Sequence, residues 1–222
     1  MSRAKDFFDA IAKGDAATVK ALLDAEPGLA TAKSDRGQSA VLVAIYNQRK
    51  DIRDLLLARG VSLEFHEAAG AGQLDRVKQF VQKDPSLASS YSPDGFPVLG
   101  LAAVFGHRGV AEYLLEKGAE VNAVSKNATG YSALTGTVAS GNKDLVALLL
   151  ERGADAGHRY GPGYSPLLEA AANGNLEIVR MLVEHGADPA ARADDGKSAL
   201  QFAEERGHKA VAEFLRGRAA TA

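Results

Sequence analysis

A chain of 222 residues, 46% of them hydrophobic, carries enough apolar side chain for an ordinary folded core. Its 26 Lys and Arg are interspersed with 28 Asp and Glu, giving a formal net charge of -2. No basic stripe is present to grip nucleic acid or anionic lipid, and there is no acidic tail. Cysteine is absent, which excludes disulfides, thiolate metal ligands and cysteine nucleophiles and fits a reducing compartment.

From the N-terminus, charges are scattered through the first residues with no apolar h-region, and no run of 18 apolar residues occurs anywhere. The expectation is a soluble, cytoplasmic protein without a membrane span. The first segment, about 1–33, opens on Phe7-Phe8-Asp-Ala10-Ile11-Ala-Lys-Gly14. The second, 34–63, runs from Gly37-Gln-Ser39-Ala40-Val41 to Gly60, and the third, 64–91, starts on Phe65-His66-Glu-Ala68-Ala69-Gly-Ala-Gly72. In the fourth, 92–124, Val98-Leu99-Gly-Leu101-Ala102-Ala103 precedes Val110-Ala111-Glu-Tyr113-Leu114-Leu115, whose i, i+3, i+4 spacing lays one apolar stripe along a helix. The fifth (125–157), sixth (158–190) and seventh (191–222) repeat that order.

Glycines punctuate these segments in phase. Gly106, Gly141, Gly174 and Gly207 recur at steps of 35, 33 and 33, and Gly118, Gly153 and Gly186 follow the first three by twelve residues. Gly95, Gly130, Gly163 and Gly196 precede them by eleven. Each unit is therefore predicted as helix, tight turn, helix and a glycine-punctuated loop, with the glycines at bends that need an unhindered backbone. Ser165-Pro166-Leu167 predicts an N-cap hydroxyl followed by proline at the first helical position.

This pattern resembles the ankyrin repeat, whose consensus runs approximately D-x-x-G-x-T-P-L-H-x-A-A-x-x-G-H-x-x-I-V-x-x-L-L-x-x-G-A-x-V-N. The fourth unit matches through Asp94-Gly95, Leu99, Ala102-Ala103, Gly106-His107, Val110, Leu114-Leu115, Gly118-Ala119 and Val121-Asn122. The sixth matches through Gly163, Ser165-Pro166-Leu167, Ala170-Ala171, Gly174, Ile178-Val179 and Gly186-Ala187. The resemblance covers essentially the whole chain and implies one all-α domain over 1–222, a solenoid of stacked helix-turn-helix units with short β-hairpin fingers. Three departures stand out. The third unit follows directly on Leu63 and lacks the D-x-x-G finger. The first and third units end in Ala-Glu-Pro-Gly-Leu and Lys-Asp-Pro-Ser-Leu, predicting longer loops. Glu204 and Arg216 replace an alanine and a leucine in the seventh, as suits a C-terminal cap facing water.

Catalytic patterns fail in turn. His66, His107, His158, His185 and His208 stand at no zinc-ligand spacing, and His66-Glu67 lacks the second histidine of a metalloprotease helix. No G-x-S-x-G is present, and Ser132 and Ser165 recur as helix caps. Gly161-Pro162-Gly163 lacks the GK[ST] ending of a phosphate loop, and Asp194-Asp195 belongs to a solvated turn. No catalytic residue, metal or cofactor is expected, and no enzyme activity.

In the family the resemblance points to, fingers and first helices line a concave groove. The slot after the finger glycine holds Gln38, Phe96, Tyr131, Tyr164 and Lys197. The end of the first helix contributes Tyr46, Asn47, Val104, Phe105 and Asn173, and Tyr160 stands in the finger leading to Tyr164, with His158 and Arg159 beside it. The candidate partner-binding residues are thus Phe96, Val104, Phe105, Tyr131, Tyr160, Tyr164, Tyr46 and Asn173, with Val104 and Phe105 expected to be exposed. Exposed aromatics mark interaction sites, while the same rings could simply pack on neighbouring fingers and stiffen them. The resemblance implies a protein-binding scaffold or adaptor whose partner is another protein, neither nucleic acid nor membrane. A dedicated regulatory subunit or inhibitor of one enzyme, or an enzyme with an unfamiliar groove site, are the alternatives.

Overall fold

Many of the described helices begin after an Asp, Ser or Asn whose side chain accepts from the first turn, and most end beside a glycine with positive φ. The structure, a computed structural model, describes residues 3–219. The chain forms two compact units, Met1–Ala71 and Gly72–Ala222, divided within the third segment of the sequence pattern.

The first unit holds α1 (Arg3–Lys13), α2 (Ala16–Ala25), α3 (Ala40–Tyr46), α4 (Lys50–Ala58) and α5 (Phe65–Gly70). Helix α1 lies on α2 and α3, α3 on α4 and α5, and α2 on α4. The apolar stripes meet in a core of Phe7, Ile11, Val19, Leu23, Ile52 and Leu56, all fully buried. Asp15 caps α2 by accepting from the Thr18 amide at 3.0 Å and its hydroxyl at 2.7 Å, which holds the carboxyl below its ordinary pKa. The expected longer loop after α2 is instead a 3-10 turn, Pro27–Thr31, because proline fixes the φ that such a turn needs.

Two local departures shape this unit. Between α3 and α4, where other units place the turn glycine, Gln48 adopts φ 55, the one non-glycine residue with positive φ among those described. A finger bridge pairs Lys33 with Ser39 ahead of α3, but none precedes α5 among the described residues, in line with the missing finger motif. Glu67 takes over the finger's work. Its carboxylate, 6% exposed, accepts from the Glu64 amide at 2.8 Å, capping its own helix, and also from the Ser39 hydroxyl that precedes α3.

The second unit holds α6 (Leu74–Lys83), α7 (Val98–Val104), α8 (Arg108–Glu116), α9 (Ala133–Ser140), α10 (Lys143–Glu151), α11 (Pro166–Ala172), α12 (Leu176–Glu184), α13 (Ala199–Glu205) and α14 (Lys209–Ala219). First helices form one row, α7 on α9, α9 on α11 and α11 on α13; second helices form another from α6 to α14. Fully buried Ala102, Ala103, Ala170 and Ala171 let the first row approach closely, and Leu114, Leu145, Leu149 and Leu182 fill the space behind it. Bridges at Tyr91–Pro97, Val124–Ser132, Tyr160–Tyr164 and Arg192–Ser198 close four fingers. Ser132, Ser165 and Ser198 cap the helices that follow, with Pro166 at the first helical position. A second 3-10 turn, Pro85–Ser89, takes the place of the other expected long loop.

Successive repeats also lock at their turns. Gly174 has φ +72, and a Cβ there would lie 2.4 Å from His208 Nδ1. The imidazole of His208 crosses that glycine to reach the Ala172 carbonyl, with Nε2 at 3.0 Å. Asn122 joins two loop ends, donating to the Gly153 carbonyl at 3.1 Å and accepting from the Asp155 amide at 2.8 Å. Between α13 and α14, Arg216 pairs with Glu204 at 2.6 Å, so each charge that replaced an apolar residue meets the other.

Two outcomes test this account. Leu114→Ala is expected to cost about 2–5 kcal/mol in urea unfolding, the range for truncating a buried leucine, whereas exposed Glu116→Gln should stay within about 0.5 kcal/mol. Gln48→Gly should raise stability by up to about 1 kcal/mol by relieving the left-handed backbone, and Gln48→Ala, which keeps the strain, should not; thermal melts of the two variants check this.

Candidate partner-binding face

The Tyr160–Tyr164 finger is the shortest among the described residues and sets the geometry. Tyr160 and Tyr164 exchange backbone hydrogen bonds, 2.9 Å from the Tyr160 amide and 3.0 Å in return, across the three-residue tip Gly161-Pro162-Gly163. Directly paired residues point to the same side of a hairpin, so the two tyrosines stand together, with centroids 6.4 Å apart. Gly163 permits the tight tip at φ +72. It also leaves room for Arg159 and Asp194, since a Cβ there would lie 2.1 Å from Asp194 Oδ1.

From this pair the rings extend both ways. Tyr131, in the preceding finger, meets Tyr160 edge-on at 5.1 Å and 79°, and Tyr164 leans on Phe202 of α13 at 5.6 Å. His158 stacks 6.4 Å from Tyr160 and turns Nε2 to the Gly130 carbonyl at 2.8 Å. Tyr131 stays 42% exposed, while Tyr160 and Tyr164 are half-buried and Phe202 is buried.

Below the rings lies Glu169 of α11. The Tyr160 phenol donates to its Oε2 at 3.5 Å and Asn173 Nδ2 donates to its Oε1 at 3.1 Å. Burial, reinforced by the Glu169 carboxylate, pushes the Tyr160 phenol well above its ordinary pKa, which keeps it a protonated donor. Nearby cations are engaged elsewhere: Lys197 with Glu205 at 2.7 Å, and Arg159 with Asp194 at 3.3 Å.

Of the sequence candidates, Tyr131, Tyr160, Tyr164 and Asn173 come together here. Tyr46 belongs to the first unit, half-buried at the end of α3. Phe96 follows the finger glycine of the fourth repeat, where its carbonyl accepts from the Ser92 amide at 2.8 Å. Val104 and Phe105 close α7 and are half-buried, not exposed as expected. For Val104 the reason is Gly136 in α9, which has no side chain, so that even an added Cβ would sit 3.4 Å from Val104. Sequence reasoning missed Glu169 and Phe202. They share one helix slot with Leu101 and Gly136, and comparing that slot repeat by repeat would have singled them out.

Against known proteins, residues 65–160 and 134–221 match the family model described as ankyrin repeats (3 copies). The chain belongs to the ankyrin-repeat family. Ankyrin repeat and SAM domain-containing protein 6 of Mus musculus is 35% identical over 88 residues, covering 40% of this chain and 10% of that protein. The Rattus norvegicus protein of the same name is 36% identical over 91 residues, covering 41% and 10%. The human DNA-binding protein RFXANK is 32% identical over 76 residues, covering 34% and 29%. The similarity thus spans well under two thirds of each relative. Ankyrin repeats generally serve as non-catalytic modules that bind protein partners. No helix among the described residues is long and apolar enough to cross a membrane.

Because each ring contact contributes about 0.5–1.5 kcal/mol, Tyr160→Ala should destabilise the second unit by about 1–3 kcal/mol. Tyr160→Phe keeps the rings and loses only the long bond to Glu169, so it should cost under about 1 kcal/mol. Urea unfolding followed by circular dichroism separates the two.

Proposed function

We propose that this chain is a protein-interaction module without catalytic activity, acting as a scaffold or adaptor, and that its partner lies along the finger-and-first-helix face of the second unit. The observation that carries this reading is the aromatic ladder of Tyr131, Tyr160 and Tyr164, which leaves Tyr131 substantially exposed at its open end. Tyrosine offers large contact area at low entropic cost and is enriched among the residues that dominate interfaces. The face extends to Phe96, Val104 and Phe105 of the fourth repeat, and Tyr46 would be the corresponding contact in the first unit.

A partner that is itself a protein suits the mixed surface charge better than nucleic acid does, even though one relative is named as DNA-binding. The chemistry at the ladder suits binding: Glu169 accepts from the Tyr160 phenol and the Asn173 amide.

The test uses p-benzoylphenylalanine introduced at position 131, or at position 116 as control, with photo-crosslinking in the source cell and mass spectrometry. A partner should be captured from position 131 and not from 116. The double variant Phe105→Ser, Tyr131→Ser, assayed where circular dichroism shows it folded, should recover at least about tenfold less of that partner. Equal capture from both positions, or undiminished recovery by the double variant, overturns the proposal.

A further inference from the structure

The ladder encloses a charge with no counterpart. Glu169 is half-buried, and its two oxygens meet only the Tyr160 phenol and the Asn173 amide; no cationic side chain reaches it among the described residues. A carboxylate withdrawn from water is stabilised far more by a cation than by neutral donors. The rings above it are also unclaimed. Elsewhere the chain covers aromatic faces with its own cations: Arg76 lies 4.5 Å from the Phe80 centroid, Lys126 3.8 Å from Tyr91 and Arg180 4.5 Å from Phe214. Among the described residues, none lies over Tyr131, Tyr160 or Tyr164.

Geometry joins the two observations. Tyr131 and Tyr160 meet at 79°, forming two walls of a corner with Tyr131 open to solvent, and the Tyr160 hydroxyl leads to Glu169. Neither neighbouring cation can fill the corner without breaking its own ion pair, Lys197 with Glu205 and Arg159 with Asp194. His158 occupies the flank of Tyr160 and directs Nε2 away, to the Gly130 carbonyl.

We propose that the corner of Tyr131, Tyr160 and Tyr164 around Glu169 receives a positively charged side chain, arginine or lysine, from an extended segment of the partner protein. Aromatic faces attract the cation through their quadrupoles, and the carboxylate closes the site with a charge-assisted hydrogen bond. This assignment rests on the interaction reading given above and makes it specific: charge, and not apolar area alone, selects the segment.

The full chain, labelled for NMR, is titrated with acetyl-Gly-Ala-Arg-Ala-Gly-amide, its lysine counterpart, and a citrulline counterpart that keeps shape and loses charge. Both cationic peptides should shift the Tyr131, Tyr160 and Tyr164 ring signals and saturate below about 10 mM, with citrulline at least roughly tenfold weaker. Glu169→Gln should weaken the arginine peptide about tenfold with an unchanged melt, and raised salt should weaken it further. Tyr131→Leu, which loses one ring contact with Tyr160 and is assayed where circular dichroism shows it folded, should also weaken it several-fold. Equal binding of citrulline, undiminished binding by both variants, or no saturable shift at the three tyrosines overturns the proposal. If position 131 still crosslinks the partner in that event, the interaction face stands and its charge selectivity falls.

Discussion

Every helix among the described residues is too short to stand alone. Those described run from six to eleven residues, below the length of about 12–15 at which isolated helices become even marginally stable in water. Stability must come from neighbours, so each apolar stripe has to face the next hairpin at a fixed distance and angle. The small alanines of the first row and the leucines of the second meet that demand in the second unit, and the Phe7–Ile52 core meets it in the first. The turns carry the same constraint: a side chain such as His208 lies across Gly174, so the glycine is required by its neighbour as well as by its own φ. Because each repeat is positioned by the one before it, fingers arrive in register and their side chains can be combined across repeats.

That register was legible in the sequence, since the phased glycines and the serine caps are direct imprints of turns and helix starts. Several features were not. Gln48 hides a left-handed turn because its residue type does not advertise one; only the missing glycine in the series hints at it. The proline-bearing ends of the first and third segments suggest loops, yet proline's fixed φ and local amide bonds wind them into 3-10 turns. Glu67 and Glu169 occupy the same slot of the repeat and serve differently. One is buried against Ser39 where a finger is missing, and the other sits beneath a finger that is unusually tight. Such differences are set by tertiary neighbours, which a single-repeat consensus averages away. Val104 was misjudged for the same reason, its cover depending on an absent side chain at Gly136 in the following repeat.

Stiffening of the fingers and binding of a partner are not competing uses of the same rings. Contacts along Tyr131, Tyr160, Tyr164 and Phe202 bury one side of each ring and fix its rotamer, lowering the entropy lost when another molecule docks on the side left open. The gradient of exposure, from buried Phe202 to Tyr131 at 42%, means that the ladder is anchored at α13 and open to solvent in the Val124–Ser132 finger.

Finger length explains why this arises at one place in an otherwise regular array. The Val124–Ser132 finger spans seven intervening residues and folds its tip through local bonds among Ser125, Asn127 and Thr129, which absorb its polar groups internally. The Tyr160–Tyr164 finger has only three, too few for such a network, so its paired side chains are forced onto one face and over the helix below. A carboxylate at that helix slot is then enclosed by tyrosines instead of water. Where the slot holds Leu101 or Gly136, no comparable charge is present. The enclosed carboxylate therefore follows from one shortened hairpin placed above one acidic residue, a local deviation held in place by the repeats stacked on either side.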